Sequence, residues 1–150
     1  MANSVCQVLL TETPLLVPPQ QPSLETGALV DFWGVVREIE GELKIAGINY
    51  EAHRPMAQHQ LELIAEESRE KFRLIQITIS HRLGFVPRGE ASLFVRVGSR
   101  HRAAAFQASV SVVDELKKRA PIWKHPVFLE GPPGKMIRAK EGRSAIQSLA

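Results

Sequence analysis

Lys117 and Lys124 bracket the segment Lys117-Lys118-Arg119-Ala120-Pro121-Ile122-Trp123-Lys124, and paired amines at this spacing are the groups in the chain best suited to chemistry. On a helix, Val113, Val110 and Phe106 precede Lys117 at offsets of about four, seven and eleven, which places the lysine on an apolar stripe expected to face the core. An ammonium there is costly unless it is paired, snorkelling or used. Two ammonium groups brought close lower each other's proton affinity, and partial burial acts in the same direction. A lysine tuned in this way serves as a general acid or base, or grips an anion. The structural alternative is that a helix C-terminus attracts cations through its dipole and that Lys117 snorkels. Lys118 and Arg119 fall elsewhere around the helix and are expected to be solvated.

His101 and Arg102 open the same helix, about 25 Å from Lys117 at 1.5 Å per residue. Free amides at a helix N-terminus favour anions, and a His-Arg pair strengthens that preference. Within one rigid helix these residues cannot share a tight pocket with Lys117; across a subunit interface, or along an extended groove, they can. The other two such dipeptides, His53-Arg54 and His81-Arg82, read as structural or surface residues. Arg37 closes an apolar strand beside Gly34, where a strand terminus would aim it at a pocket.

These candidates need elements to hold them. Val5 to Leu10 suits a short strand, and Pro14, Pro18, Pro19 and Pro22 then enforce a surface arm. Ala28 to Arg37 reads as a strand with Val30, Phe32, Gly34 and Val36 on one side. Glu40-Gly41-Glu42 turns the chain, and Leu43 to Ala52 returns as a second strand. Pro55 opens a helix with the buried stripe Ala57, Leu61, Ile64, Ala65, Ser68 and Phe72. Ile75, Ile77 and Ile79 alternate with polar residues, and Ala91, Leu93, Val95 and Val97 form the hairpin partner across Pro87-Arg88-Gly89. Ser99 is expected to cap the second long helix, Arg102 to Arg119, which Pro121 ends by disfavouring helical backbone at Ala120. A last short strand is expected from Val127 to Leu129. The order predicts an α+β fold of two layers, a mostly antiparallel sheet covered by two long helices. One domain spans 1–150, with a Pro-rich arm over 1–26 and a weakly structured tail over 132–150.

Bulk properties exclude several classes of function. The 150 residues are 44% hydrophobic and 23% charged, ordinary values for a globular domain with a real core. A net charge of +3 and a pI near 9.3 fit an anionic small substrate or an acidic partner, without the basic-aromatic pattern of a nucleic-acid binder. The one cysteine, Cys6, excludes a disulfide framework and is a poor nucleophile candidate on an edge strand. No phosphate loop, dinucleotide fingerprint or nucleophile elbow is present, and His53 and His59 lack companions for a metal site. Trp33 and Trp123 are of a type that stacks flat heterocycles, although core packing is their commoner fate. With no signal peptide and no apolar run of membrane length, the cytoplasm is the expected location.

Taken in order, Gly27-Ala28-Leu29-Val30-Asp31-Phe32-Trp33-Gly34-Val35-Val36-Arg37, Tyr50-Glu51-Ala52, His81-Arg82-Leu83-Gly84, Ser99-Arg100-His101-Arg102 and Leu116 through Lys124 resemble the large, catalytic subunit of molybdopterin synthase. The likeness runs from about Gly27 to Gly131 and implies an α/β hammerhead-like fold. It implies a sulfurtransferase of molybdenum-cofactor biosynthesis that converts cyclic pyranopterin monophosphate to molybdopterin. The sulfur would arrive as a thiocarboxylate on the C-terminal Gly-Gly tail of a small ubiquitin-like partner. By the same resemblance Lys117 and Lys124 are catalytic, and Val35, Val36, Arg37, His101, Arg102, His125, Pro126 and Arg138 bind substrate. Arg138 would reach across from a neighbouring copy, in a homodimer forming the core of a heterotetramer. No resident cofactor or metal is implied. His125-Pro126 stands where the family usually has an acidic or polar residue, and Met136 where it has an aromatic. The alternative from another class is a non-catalytic dimeric module that only docks an anionic pterin or a ubiquitin-like tail.

Overall fold

The structure, a computed structural model, describes residues 5–129. Ten elements follow in chain order: β1 (Val5–Thr11), β2 (Ala28–Val35), β3 (Ile39–Glu40), β4 (Leu43–Ala52), α1 (Arg54–Phe72), β5 (Gln76–Arg82), β6 (Gly84–Pro87), β7 (Ala91–Ser99), α2 (Arg102–Arg119) and β8 (Ile122–Phe128). They build two sheets. One has the order β1-β5-β7-β2, with β1 parallel to β5 and the other neighbours antiparallel. In the other, antiparallel β4 is flanked by β6 and β8 and carries the short β3 as a hairpin.

Both long helices lie where the apolar periodicity puts them. The expected stripe of α1 is buried from Ala57 to Ser68, with Phe72 partly buried. Pro55 sits in its first turn, and the His53 ring accepts from the Met56 N–H at 3.4 Å as the N-cap, so His53 is structural. α2 ends as its sequence requires, because Ala120 before Pro121 is extended at φ −75° and ψ 126°. Its start differs from expectation. His101 is the cap residue and makes no side-chain cap bond, while Ser99 donates to the His101 carbonyl instead.

Two further expectations change. The strand from Leu43 does not return alongside the strand from Ala28. It pairs with β3 across a tight turn in which Gly41 adopts φ 64°, a conformation that costs glycine little. β2 pairs with β7 instead, and its register breaks at Gly34/Val35. The expected hairpin of β5 and β7 forms, but its connection crosses to the second sheet. Leu83 and Gly84, the latter at φ 81°, turn the chain so that β6 can pair with β4. The last strand is also longer than predicted and starts at Ile122, which places Lys124 within a ladder rather than in a loop.

The main core lies between the helices and one face of the first sheet, where Ile77, Ile79, Leu93, Val95 and Val97 meet Leu61, Ile64, Ala65, Ala105, Ala108, Val112 and Leu116. The other face is covered over β7 and open at β1, where Leu9 is 54% exposed. Arg96 is 2% exposed, forks onto Asp31 at 2.6 and 2.8 Å, and donates to the carbonyls of Pro18 and Pro19 at 3.1 and 3.0 Å. The proline arm is thereby strapped across that face. Trp33, half-buried, packs on Phe94 beside it, with ring centroids 4.5 Å apart.

Candidate active site

The predicted apolar stripe of α2 is not its buried face. Val113 is buried, but Phe106 and Val110 are 59% and 64% exposed, and the core face is Ala105, Ala108, Ser109, Val112, Val113 and Leu116. Small residues let the helix sit close to the sheet, which turns the bulkier pair outward. Lys117 is therefore half-buried on the border between core and surface. Lys118 is exposed beside Glu115, as expected. Arg119, expected to be solvated, instead bonds Glu67 of α1 at 2.6 Å and ties the helices together. The Glu67 carboxylate holds the guanidinium pKa above its usual value, while Arg119 in turn lowers that of Glu67.

Topology brings Val35, Val36 and Arg37 toward the Lys117 end of α2. β7 runs about 30 Å at roughly 3.3 Å per residue, and α2 returns over β7 and β2 for about 27 Å. The last turn of α2 thus lies over the end of the sheet where Val35 pairs with Ala91. Val36 is fixed there by its N–H to the Glu90 carbonyl at 3.0 Å and by its own carbonyl, which accepts from Gly89 at 2.7 Å. Val35 and Arg37 on either side of it are exposed. Lys124 is 9% exposed, and its ammonium donates to Glu40 Oε1 at 3.1 Å. This contact draws β3, whose Glu40 is three residues beyond Arg37, onto β8. Lys124 therefore meets a carboxylate, a partner opposite in charge to the second amine that the sequence offered.

Strand alternation separates two other candidates. Lys124 lies opposite Tyr50, and the two side chains share the inward face with Ile48 and Pro126. His125 lies opposite Asn49 and turns outward, into a pocket with Glu12, Glu51, Arg54 and Gly84. His101 and Arg102 are exposed at the far end of α2, and within this chain they stand apart from Lys117, as helix length requires. Arg138 lies outside the described residues.

Sequence reasoning missed Glu40 and a buried polar group behind Lys124. Tyr50, His81 and Ser92 lie on neighbouring strands, and the Tyr50 and His81 rings meet edge to face at 5.0 Å. Burial pushes the Tyr50 phenol up to about 12. His81 is fully buried. Its Nδ1–H donates to the Arg82 carbonyl at 2.8 Å, its Nε2 has no partner, and burial lowers its pKa to about 4. Because the unfolded chain would bind this proton near pH 6.5, the stability that neutral His81 supplies is complete above that pH. It is lost as the pH falls toward 4, at about 1.4 kcal/mol per unit. Urea titrations between pH 6.5 and 4.5 should show this slope, and His81→Leu should flatten it; an unchanged slope in that variant would assign the effect to other groups. Cys6 donates weakly to Glu66 at 3.4 Å, and burial raises its thiol pKa to about 11. At neutral pH it is a thiol rather than a thiolate, in keeping with its rejection as a nucleophile.

Fold and side chains together define an α+β domain with a half-buried lysine at the end of one helix and a buried, ion-paired lysine on the strand that follows it. The family model for MoaE protein matches residues 10–119. A molybdopterin synthase catalytic subunit from Thermoplasma volcanium is 34% identical over 107 residues, covering 71% of this chain and 78% of that protein. Among solved structures, the molybdopterin synthase from Staphylococcus aureus superposes with a TM-score of 0.70 at 29% identity, covering 83% of this chain and 92% of that one. The complex of subunits 1 and 2 of molybdopterin-converting factor from Helicobacter pylori shares the fold, with a TM-score of 0.63 at 19% identity over 92% of each chain. The chain spans only 56% and 55% of the rice and bovine relatives it matches. It belongs to the MoaE family, whose matched relatives are named molybdopterin synthase catalytic subunit.

Proposed function

We propose that this chain transfers sulfur from the thiocarboxylated Gly-Gly terminus of a small ubiquitin-like subunit to cyclic pyranopterin monophosphate, forming molybdopterin in the cytoplasm. The observation that carries this reading is a half-buried Lys117 and a buried Lys124 flanking one proline turn, at the sheet end that holds Val35, Val36 and Arg37. Ammonium groups withdrawn from water attract anions more strongly than exposed ones. They suit a reaction in which the donor tail and the pterin phosphate are both negative. Lys124 orients the thiocarboxylate, Lys117 handles protons during attack and opening of the phosphate ring, and Arg37 meets the phosphate. The subunit names of the relatives support a partner that brings the sulfur, since the one cysteine here is a protonated edge residue.

A second copy of the chain completes the site. The exposed Phe106 and Val110 line a shallow groove on α2, and Val110 stands midway between Arg102 and Lys117. Two α2 helices packed antiparallel about a twofold axis near Val110 would bury this pair. Each Lys117 would then face the partner's His101 and Arg102, which removes the obstacle set by helix length. Such a dimer, with a small subunit at each end, is a heterotetramer. Reconstitution tests the function. The chain mixed with thiocarboxylated small subunit and cyclic pyranopterin monophosphate should yield the dithiolene product. Pterin binding without turnover would favour a docking module instead.

A further inference from the structure

The Glu40 carboxylate that holds Lys124 is of the same chemical class as the tail the site is read as receiving. Its Oε1 lies 3.1 Å from the Lys124 ammonium, and the side chains are 24% and 10% exposed, so the pair opens toward solvent on the Glu40 side. A buried ammonium left without an anion is strongly disfavoured, and Glu40 supplies that anion while no ligand is bound. The backbone that carries it is a short hairpin. β3 has two residues, which pair with β4 through Ile39↔Lys44 and Glu40↔Leu43 around Gly41, and one further backbone bond runs from the Ile45 N–H to the Glu38 carbonyl at 2.9 Å. Such a short hairpin can yield at small cost, because few backbone bonds must break.

We propose that Glu40 is a placeholder carboxylate: it occupies Lys124 in the empty site, gives way to the thiocarboxylate of the donor, and returns to expel the spent tail. The inference rests on the sulfur-transfer reading above. During that reaction the terminal carbon of the tail gives up its sulfur and takes an oxygen from water. The donor therefore enters as a thiocarboxylate and must leave as a carboxylate. Both forms carry one negative charge and would bind an unopposed ammonium well, which would leave product on the enzyme. A tethered carboxylate in competition weakens both and lets the product depart. No covalent bond forms in this exchange; one ion pair replaces another.

Glutamine at position 40 keeps the shape and removes the charge. The Glu40→Gln variant should bind the small subunit in its Gly-Gly carboxylate form about tenfold more tightly than wild type, since a charged hydrogen bond no longer competes. Its KM for the thiocarboxylated form should fall, and steady-state kcat should fall with it as release slows. A residue that merely steadied Lys124 would move KM the other way. Should Glu40→Gln fail to fold, Glu40→Asp retracts the carboxylate by one methylene and should tighten binding about threefold. A folded variant of either kind that binds the carboxylate form equally or more weakly overturns the proposal. If Lys117→Ala also left turnover intact, the sulfur-transfer reading would fall with it; if that variant is inactive, only the placeholder role is lost.

Discussion

Lys117→Ala is expected to lower dithiolene formation in the reconstituted reaction by about 10²–10³, the range seen when one charge-stabilising donor is removed from an active site. Its unfolding free energy should stay within about 1 kcal/mol of wild type, because alanine is the best helix former and the lost cation sits in the last turn of α2. Removing Lys124 tests more than the chemistry. Deleting Lys124 would break its 3.1 Å ion pair with Glu40, so a loss of stability would accompany any loss of rate. The check is paired: product formation by chromatography and urea unfolding on the same preparation. Near-wild-type turnover in a folded Lys117→Ala protein would reject its assignment.

Arg96→Met should cost about 3 kcal/mol in urea unfolding, with no charge near the lysine site altered. Methionine keeps the apolar bulk but abandons four hydrogen bonds, two to Asp31 and two to the Pro18 and Pro19 carbonyls. Breaking a buried ion pair by deleting one partner costs about 3–5 kcal/mol, and the lower end applies because the Asp31 side chain is 24% exposed. The proline arm should also lose its anchor, and limited proteolysis between β1 and β2 should accelerate. Asp31→Asn in the Arg96→Met background should recover part of the loss, since no unpaired carboxylate then remains. A cost under about 1 kcal/mol would mean that the strap contributes little.

How much of this could be seen in the chain depended on the range of the interaction. Helix α1 was legible because its apolar stripe and proline start lie within one segment, and α2 because Pro121 dictates its end. Strand alternation gave β5 and β7 for the same reason. Pairing across distance was not legible. Nothing near Leu43 says that it pairs with β3 and that β2 joins another sheet, and the insertion of β6 depends on a chain reversal at Gly84. The stripe on α2 misled because Phe106 and Val110 share a helix face that the fold leaves exposed, while alanines take the buried side. The two lysines stand out by type and spacing, whereas Glu40 was invisible: it meets Lys124 across 84 positions of sequence. His125, which only the family resemblance offered as a substrate residue, follows Lys124 on a strand that sends neighbouring side chains to opposite faces.

The most direct test co-expresses two inactive copies, Lys117→Ala and Arg102→Ala, with separable tags. If each chamber is built from the lysine end of one α2 and the His101-Arg102 end of its neighbour, random pairing gives half mixed dimers, each with one intact chamber. The mixed population should then regain about a quarter of wild-type turnover. Mixed dimers that purify through both tags yet turn over no faster than either parent would contradict a chamber shared between copies.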